Sequence, residues 1–417
     1  MREYLKRLPS QVQELIGLAG DIAEDMNARA YFVGGFVRDL ILGANNLDLD
    51  IVIEGDGIAF AEKLSKSFGS KLICHRRFKT ATVMIGPDLK VDVATARKEF
   101  YPSPAHLPVV STGSLKDDYF RRDFTINAMA ISITGGNFGK LIDFFGGEAD
   151  LRNKRICFLH DLSFIDDPTR ILRAIRFEQR FNFKIEPKTL KYLKQAVKMK
   201  MLNKVEPQRV RDELILLLKE ERPIKQIRRM QGLTGFDFII PALSVSKKTY
   251  QLISSIEKVC SSHRIIDLWV VYFMGLIDTL DLKQAKKVCD KFAFGKQNTK
   301  KIIASKRINR KFITSLGKKG IKPSRIFSLL SPLSYEVILL LKAKYNRGVI
   351  RRNIDDFLKT YSHMHLGVTG HDLQELGIRP GPNYQKILKK VFQARLDGMV
   401  KDRDDQLKLI RKIVKLK

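Results

Sequence analysis

No run of 18 consecutive apolar residues occurs anywhere in the 417-residue chain, which argues against a membrane-spanning helix. The first residues, Met1-Arg2-Glu3-Tyr4-Leu5-Lys6-Arg7, lack the apolar stretch of a signal peptide. Cysteine is scarce: Cys74, Cys157, Cys260 and Cys289 show neither zinc-type spacing nor a disulfide framework. They read as free thiols in a reducing compartment, and the expectation is a cytoplasmic protein. No cysteine or histidine pattern suggests catalysis. Internal repeats and low-complexity linkers are also missing. The length is sufficient for two or more domains, each with its own core.

Acid is what the chain most lacks. It carries 76 Lys and Arg against 45 Asp and Glu, net +31. The deficit is uneven: residues 221–417 hold 41 basic and 16 acidic residues, residues 1–220 hold 35 and 29. The stretch from Lys291 to Arg325 has twelve basic residues and no acid. A half so lopsided repels itself unless it meets an anionic partner. Nucleic acid, held through its phosphates, is the natural one. An anionic membrane surface is the rival, but no concentrated basic amphipathic helix with aromatic anchors supports it.

Periodicity outlines an α+β organisation. A helix is expected over about 9–27, with Val12, Leu15, Ile16, Ala19, Ile22, Ala23 and Met26 on its buried face. Strands follow near 30–33 and 48–53, a helix near 57–68, then strands near 70–74, 80–85 and 90–95. This is a mixed sheet with flanking helices. From about 123 the pattern reads as helical, apart from a short apolar run at 140–145. The expected division is an α/β head over 1–145, a helical neck over 146–220 and a basic all-helical body and tail over 221–417.

Within the head, one short apolar run ends at Gly34-Gly35 and a second carries Asp48-Leu49-Asp50. Alternate residues of a strand point to one side, so both carboxylates face the same way. Two such acids repel unless a cation lies between them, and Mg²⁺ takes oxygen ligands of this kind together with phosphate. The glycines let backbone N–H groups approach an anion where the next helix starts, and Arg38 lies one turn beyond. Either feature alone is ordinary, a tight turn or a solvated loop edge. Together they suggest nucleotidyl transfer.

Two further constellations sit at the junction with the helical part. Arg121-Arg122-Asp123-Phe124-Thr125-Ile126-Asn127-Ala128-Met129 places two arginines beside an Asp at an expected helix start, where the arginines suit a triphosphate and the Asp a cap. Asp166-Asp167-Pro168-Thr169-Arg170 continues to Arg173, Arg176 and Phe177, with Pro168 in a first helical turn. Asp167, Arg170 and Arg173 share a drifting face, and Arg176 lies well round from Asp167. A capped helix and a solvated helix with an i,i+3 ion pair are the plain alternatives.

In order and spacing these motifs resemble those of the class II tRNA nucleotidyltransferases, the family of bacterial CCA-adding enzymes and their relatives. The resemblance extends through Glu206-Pro207-Gln208-Arg209-Val210-Arg211-Asp212-Glu213, similar to the motif closing the family's neck. It reaches Val368-Thr369-Gly370-His371-Asp372 and Gly377–Pro382, similar to its tail motif. Residues 230–360 are recognised only as helical and basic. The resemblance implies a tRNA 3′-end nucleotidyltransferase using CTP and ATP, with Mg²⁺, tRNA as partner and no obligate protein partner. Asp48 and Asp50 would bind the metals. Gly35, Arg38 and Arg122 would contact the nucleotide, with Arg173 and Arg176 adding to its pocket. Asp167 and Arg170 would read the base. Cytosine and adenine both pair an exocyclic amine with an acceptor nitrogen, so an Asp and an Arg suit both and leave uracil and guanine unsatisfied. Asp166 stands where the family usually has Glu. Asp92 is a candidate third acid.

Full CCA addition is the expectation, with A-only and CC-only addition as alternatives. The connector Arg97–Lys116 is the family's flexible loop; Pro102, Pro104 and Pro108 stiffen it here, as in partial-activity members. A bacterial poly(A) polymerase, which shares the head motifs, is the enzymatic rival. A non-catalytic RNA-binding protein is the rival from another class.

Overall fold

A computed structural model describes residues 1–44, 46–87, 89–241, 243–261 and 267–414. The chain divides into two compact units. The first comprises residues 1–220 with 225–238, the second 221–224 with 239–417.

The first unit is built on a seven-stranded mixed sheet. Its strands are β1 (Arg29–Val33), β2 (Leu49–Glu54), β3 (Lys71–His75), β4 (Thr80–Met84) and β5 (Lys90–Thr95), joined by β8 (Met129–Ser132) and β9 (Leu141–Asp143). A separate hairpin pairs β6 (Arg97–Phe100) with β7 (Val109–Thr112). The order across the sheet is β3-β4-β5-β2-β1-β8-β9, and only β2 and β5 run parallel. That parallel pair sets Asp50 directly opposite Asp92.

The helix Ser10–Asp25 buries Val12, Leu15, Ile16, Ala19, Ile22 and Ala23, six of the seven residues its periodicity marks out. Helix Gly57–Ser67 starts where Asp56 accepts hydrogen bonds from the amides of Ile58 and Ala59, an ordinary carboxylate cap. Gly57 itself lies against β5: a Cβ there would sit 2.8 Å from the Thr95 nitrogen.

Three local expectations are corrected. Arg121-Arg122-Asp123 does not open a helix. The helix Leu115–Phe120 ends just before it, begun by a Ser114/Asp117 capping box. Asp123 instead accepts from its neighbour's amide, Phe124 N, and from Asn127 Nδ2. Second, the chain beyond 123 is not uniformly helical. Met129–Ser132 is an inner strand between β1 and β9, buried at all four positions, and an apolar run buried on both sides carries no alternation to betray it. Third, the connector after β5 holds the β6–β7 hairpin, with only 101–108 as its loop.

The sheet is followed by helices Ser163–Asp166, Thr169–Phe181, Pro187–Lys198 and Pro207–Lys219. Thr169–Phe181 buries Ile171, Leu172, Ala174, Ile175 and Phe177.

The second unit is helical in all its described elements. Trp269–Leu276 is buried throughout, and a further core gathers Leu316, Ile326, Leu330, Ile338, Leu341, Ile354 and Phe357. Of the twelve basic residues from Lys291 to Arg325, ten are exposed; Lys301 and Lys306 are half-buried. Lys301 pairs with Glu336, and Lys306 donates to the Ile277 carbonyl. No single helix among the described residues is long and apolar enough to cross a membrane. The four cysteines are free.

Candidate active site

The centre of the site is where β2, β5 and the turn after β1 meet. Gly34 takes φ +72°, a conformation that favours glycine, and a Cβ on it would lie 2.7 Å from Arg122 Nη1 and 3.9 Å from Asp50 Oδ2. The turn therefore brings Gly34, Asp50 and Arg122 together. Gly35, half-buried, begins the helix Gly35–Ile41, and no side chain caps its first turn.

Asp48 stands just before β2 and is exposed; Asp50 lies within β2 and is half-buried. Lys90 Nζ bridges Asp48 Oδ1 at 3.2 Å and Asp92 Oδ2 at 3.0 Å. Thr82 Oγ1 donates to the other Asp92 oxygen. Burial pushes the Asp50 carboxyl up to about 6, the Asp48 and Asp92 charges add to this, and Arg122 opposes it. Asp50 thus holds a charge its protein neighbours under-neutralise. Hard oxygen donors on one side of a sheet, one of them short of a cation, fit a divalent metal. No group of three or more His, Cys, Asp or Glu among the described residues is arranged as a complete metal cage. The donors here are a pair, leaving positions for water and phosphate.

Arg122 is fixed from behind. Asp118, fully buried, accepts from Arg122 Nε and Nη2 and from Arg121 Nε and Nη2, at 2.6–3.2 Å. Burial alone would raise the Asp118 carboxyl, but the two guanidinium groups hold it below the usual range.

Arg38 is buried. It donates to both Asp39 oxygens at 2.8 and 2.9 Å and to Asn127 Oδ1 at 2.6 Å. Its guanidinium lies over the Phe177 and Phe181 rings, 5.4 and 4.7 Å from their centroids. In this arrangement it ties the Gly35–Ile41 helix to Thr169–Phe181.

Arg173 reaches Asp123 Oδ2 at 2.6 Å and Glu213 Oε1 at 2.8 Å; Arg176 reaches Glu213 Oε2 at 3.3 Å. Burial would raise Asp123, yet the Arg173 charge and the Asn127 and Arg173 hydrogen bonds hold it at about 2.

Asp167 and Arg170 are not an ion pair with each other. Asp167 Oδ1 accepts from Thr169 N and Thr169 Oγ1, and Arg209 Nη2 forms an ion pair with it at 2.8 Å. Arg170 donates to Ser163 Oγ at 2.7 Å and to the Arg121 carbonyl at 2.6 Å. The latter bond joins the neck helix to the segment that carries Arg122.

Four contributors were not singled out from sequence: Asp118, Asn127, Arg209 and Lys90. Asp118 and Arg122 stand at i,i+4, a readable signal. Arg209 lies in a quoted motif, and its Nη1 is buried with no partner among the described residues. Asn127 acquires its contact with Arg38 through the fold, and Lys90 its contact with Asp48 through the pairing of β2 and β5; neither leaves a local mark.

Comparison with known proteins places this geometry. Residues 30–157 match the family described as "Poly A polymerase head domain", and residues 182–246 match "Probable RNA and SrmB- binding site of polymerase A". An A-adding tRNA nucleotidyltransferase of Halalkalibacterium halodurans is 31% identical, covering 95% of this chain and 92% of that protein. The chain belongs to the class II tRNA nucleotidyltransferases. Divalent-metal dependence comes with the family. An A-adding tRNA nucleotidyltransferase of Geobacter sulfurreducens is 38% identical over 97% of this chain. The chain spans about half the length of that relative, 47%. A solved Thermotoga maritima CCA-adding enzyme complexed with tRNA is 33% identical, with TM-score 0.76, over 99% of this chain and 98% of that one.

Proposed function

We propose that the chain extends the 3′ end of tRNA with nucleotides drawn from CTP and ATP, releasing pyrophosphate. The observation that carries this reading is the convergence of Asp50, Gly34 and Arg122, with Asp48 on the same side. Asp48 and Asp50 would hold Mg²⁺, which when bound supplies a lowered pKa at the attacking 3′-hydroxyl and charge for the leaving pyrophosphate. The uncapped amides at Gly35 and the Arg122 guanidinium receive the triphosphate. Asp118 keeps Arg122 pointed at it. Arg173 and Arg176, locked by Asp123 and Glu213, shape the neck side of the nucleotide pocket.

Asp167 reads the base. Its described hydrogen bonds, both from Thr169, and its ion pair with Arg209 fall on Oδ1, leaving Oδ2 to accept the exocyclic amine of cytosine or adenine. Arg170 donates to the ring nitrogen once it gives up Ser163 or the Arg121 carbonyl. Uracil and guanine would leave these groups unpaired, at about 1–3 kcal/mol each. The test is pyrophosphate release with tRNA, Mg²⁺ and one nucleotide at a time. Release with CTP or ATP but not UTP or GTP is expected; release without tRNA overturns the reading.

Addition of A alone is the second reading, favoured because the Halalkalibacterium relative, matched over 92% of its length, is A-adding. CTP supplied alone to a tRNA lacking its three terminal nucleotides separates the two. Incorporated C supports full CCA addition. No C, with efficient A addition to a tRNA ending in CC, establishes the A-only enzyme.

Two further expectations arise from the charges. Lys90 occupies the oxygens of Asp48 and Asp92, so it competes with the metal. Lys90→Met should lower the Mn²⁺ concentration for half-saturation by roughly threefold in calorimetric titration of the free protein; an unchanged or higher value rejects that competition. Separately, the ten exposed basic residues between Lys291 and Arg325 predict steeply salt-dependent tRNA binding. Affinity should fall by at least about tenfold between 50 and 200 mM salt. A flat salt profile removes phosphate contact as the role of the second unit.

A further inference from the structure

Beside the metal-binding carboxylates lies a group of rings that neither metal nor triphosphate binding uses. Phe120, the last residue of the helix Leu115–Phe120, is 51% exposed. One face of its ring is stacked on His160, centroids 4.7 Å apart and planes 15° from parallel. Phe145 lies 6.5 Å from Phe120. The buried Tyr119 meets Phe144 at 5.7 Å, and Phe144 is likewise 51% exposed. Leu162, two residues beyond His160, is 59% exposed. Isolated exposed apolar side chains need no explanation, but an exposed ring stacked flat on a second ring does.

Its position is informative. Phe120 immediately precedes Arg121 and Arg122. The Arg122 guanidinium lies over the Tyr119 ring, 5.8 Å from its centroid, and also meets the Gly34 turn beside Asp50. At the other end, His160 Nδ1 is 3.9 Å from Asp166, the residue before Asp167. The Phe120–His160 stack is thus joined through the chain to Arg121 and Arg122 on one side, and through the approach of His160 to Asp166 to the segment that carries Asp167 on the other. His160 is neutral at physiological pH: burial, then the Arg170 charge, push it down to about 4. The Phe120–His160 stack is thus a flat, uncharged pair with one phenyl face left to solvent.

A flat ring beside a cationic centre is what an unpaired nucleobase recognises. Stacking on an aromatic face accepts any base, while neighbouring guanidinium charge attracts the backbone. We propose that Phe120, backed by His160, is a platform on which an unpaired base at the 3′ end of tRNA stacks, steadying the terminal hydroxyl before Asp48 and Asp50. The proposal rests on the function proposed above and adds a primer-binding residue to it. Stacking on a flat, uncharged ring is indifferent to base identity, which suits a 3′ end that changes sequence as it grows.

The test compares wild type with Phe120→Ala and Phe120→Trp on two tRNAs, one ending in CC and one trimmed of all unpaired 3′ nucleotides. Phe120→Ala should raise KM for the CC-ending tRNA about tenfold, leave KM for ATP unchanged and leave the thermal midpoint near that of wild type. Phe120→Trp should restore the wild-type KM. In a separate binding experiment, 2-aminopurine at the 3′-terminal base should be quenched by wild type and not by Phe120→Ala. Binding of the trimmed tRNA should be equal for all three proteins. Unchanged KM and quenching in Phe120→Ala overturn the platform, as does an equal loss of affinity for both tRNAs. A wild-type protein that quenches 2-aminopurine yet adds no nucleotide refutes the transferase reading while leaving the platform standing.

Discussion

Asp50→Asn abolishes nucleotide addition and, in the metal-free protein at pH 7.5, raises the thermal midpoint. The two effects share one cause. Burial and the neighbouring Asp48 and Asp92 charges lift the Asp50 carboxyl from 3.8 to about 6, against the pull of Arg122. An acid with a raised folded pKa binds its proton more tightly folded than unfolded. Its contribution to stability is therefore full below the unfolded value and is lost as pH rises through about 6. Above that, the native state carries a charge that costs on the order of 1–3 kcal/mol. Asn keeps the shape and removes the charge, so the midpoint should rise by several degrees. Activity should fall below roughly 1% of wild type, because on the proposed assignment the metal loses a ligand. Mg²⁺ should stabilise wild type measurably and Asp50→Asn hardly at all. A midpoint unchanged in calorimetry, with activity retained, would place the centre elsewhere.

Glu213→Ala should be the most destabilising single change in the first unit outside its apolar core. Glu213 is one of two acids closing on Arg173 and holds the shortest contact of Arg176; Glu220 lies 3.9 Å from Arg176. Burial opposes the Arg173 charge, and Asp123 and Glu213 together keep it in place. An arginine cannot discard its proton to escape, so deleting its partner leaves buried charge uncompensated. Breaking a buried pair in this way costs about 3–5 kcal/mol. Glu213→Gln, which keeps hydrogen-bond acceptance and loses the charge, should cost distinctly less. Urea unfolding of both variants decides the matter; a cost below about 1 kcal/mol for Glu213→Ala would mean Arg176 relies on Glu220 instead.

The legible parts of this molecule are those written locally. The amphipathic helix Ser10–Asp25 and the strands through β5 announce themselves by period, though β2 begins at Leu49 and leaves Asp48 just outside the alternation that holds Asp50. Inner strand β8 was not legible, because Met129–Ser132 is apolar on both sides. The misreading of Arg121-Arg122-Asp123 as a helix start has a similar source. Its Asp is the right residue type for a cap, but tertiary partners claim it: Arg173 arrives from fifty residues away. The roles of Lys90 and Asn127 were not legible, although Asn127 lies within the Arg121–Met129 motif. Their partners are supplied by the parallel β2–β5 register and by the fold-back onto Arg38. Arg170 is the converse case. Its number is legible and its present contacts, to Ser163 and the Arg121 carbonyl, are not. Those contacts assign it a second duty as a brace between neck helix and head.

One extension experiment tests templated addition at the Asp48/Asp50 centre most directly. A tRNA ending in CC is incubated with labelled ATP and Mg²⁺ in the presence of wild type, Asp48→Ala or Asp50→Ala, and the products are sized at single-nucleotide resolution. Wild type should yield tRNA longer by one nucleotide, and both variants should yield none while still binding tRNA. Long A tails from wild type, or a one-nucleotide product from either variant at wild-type rate, would contradict it.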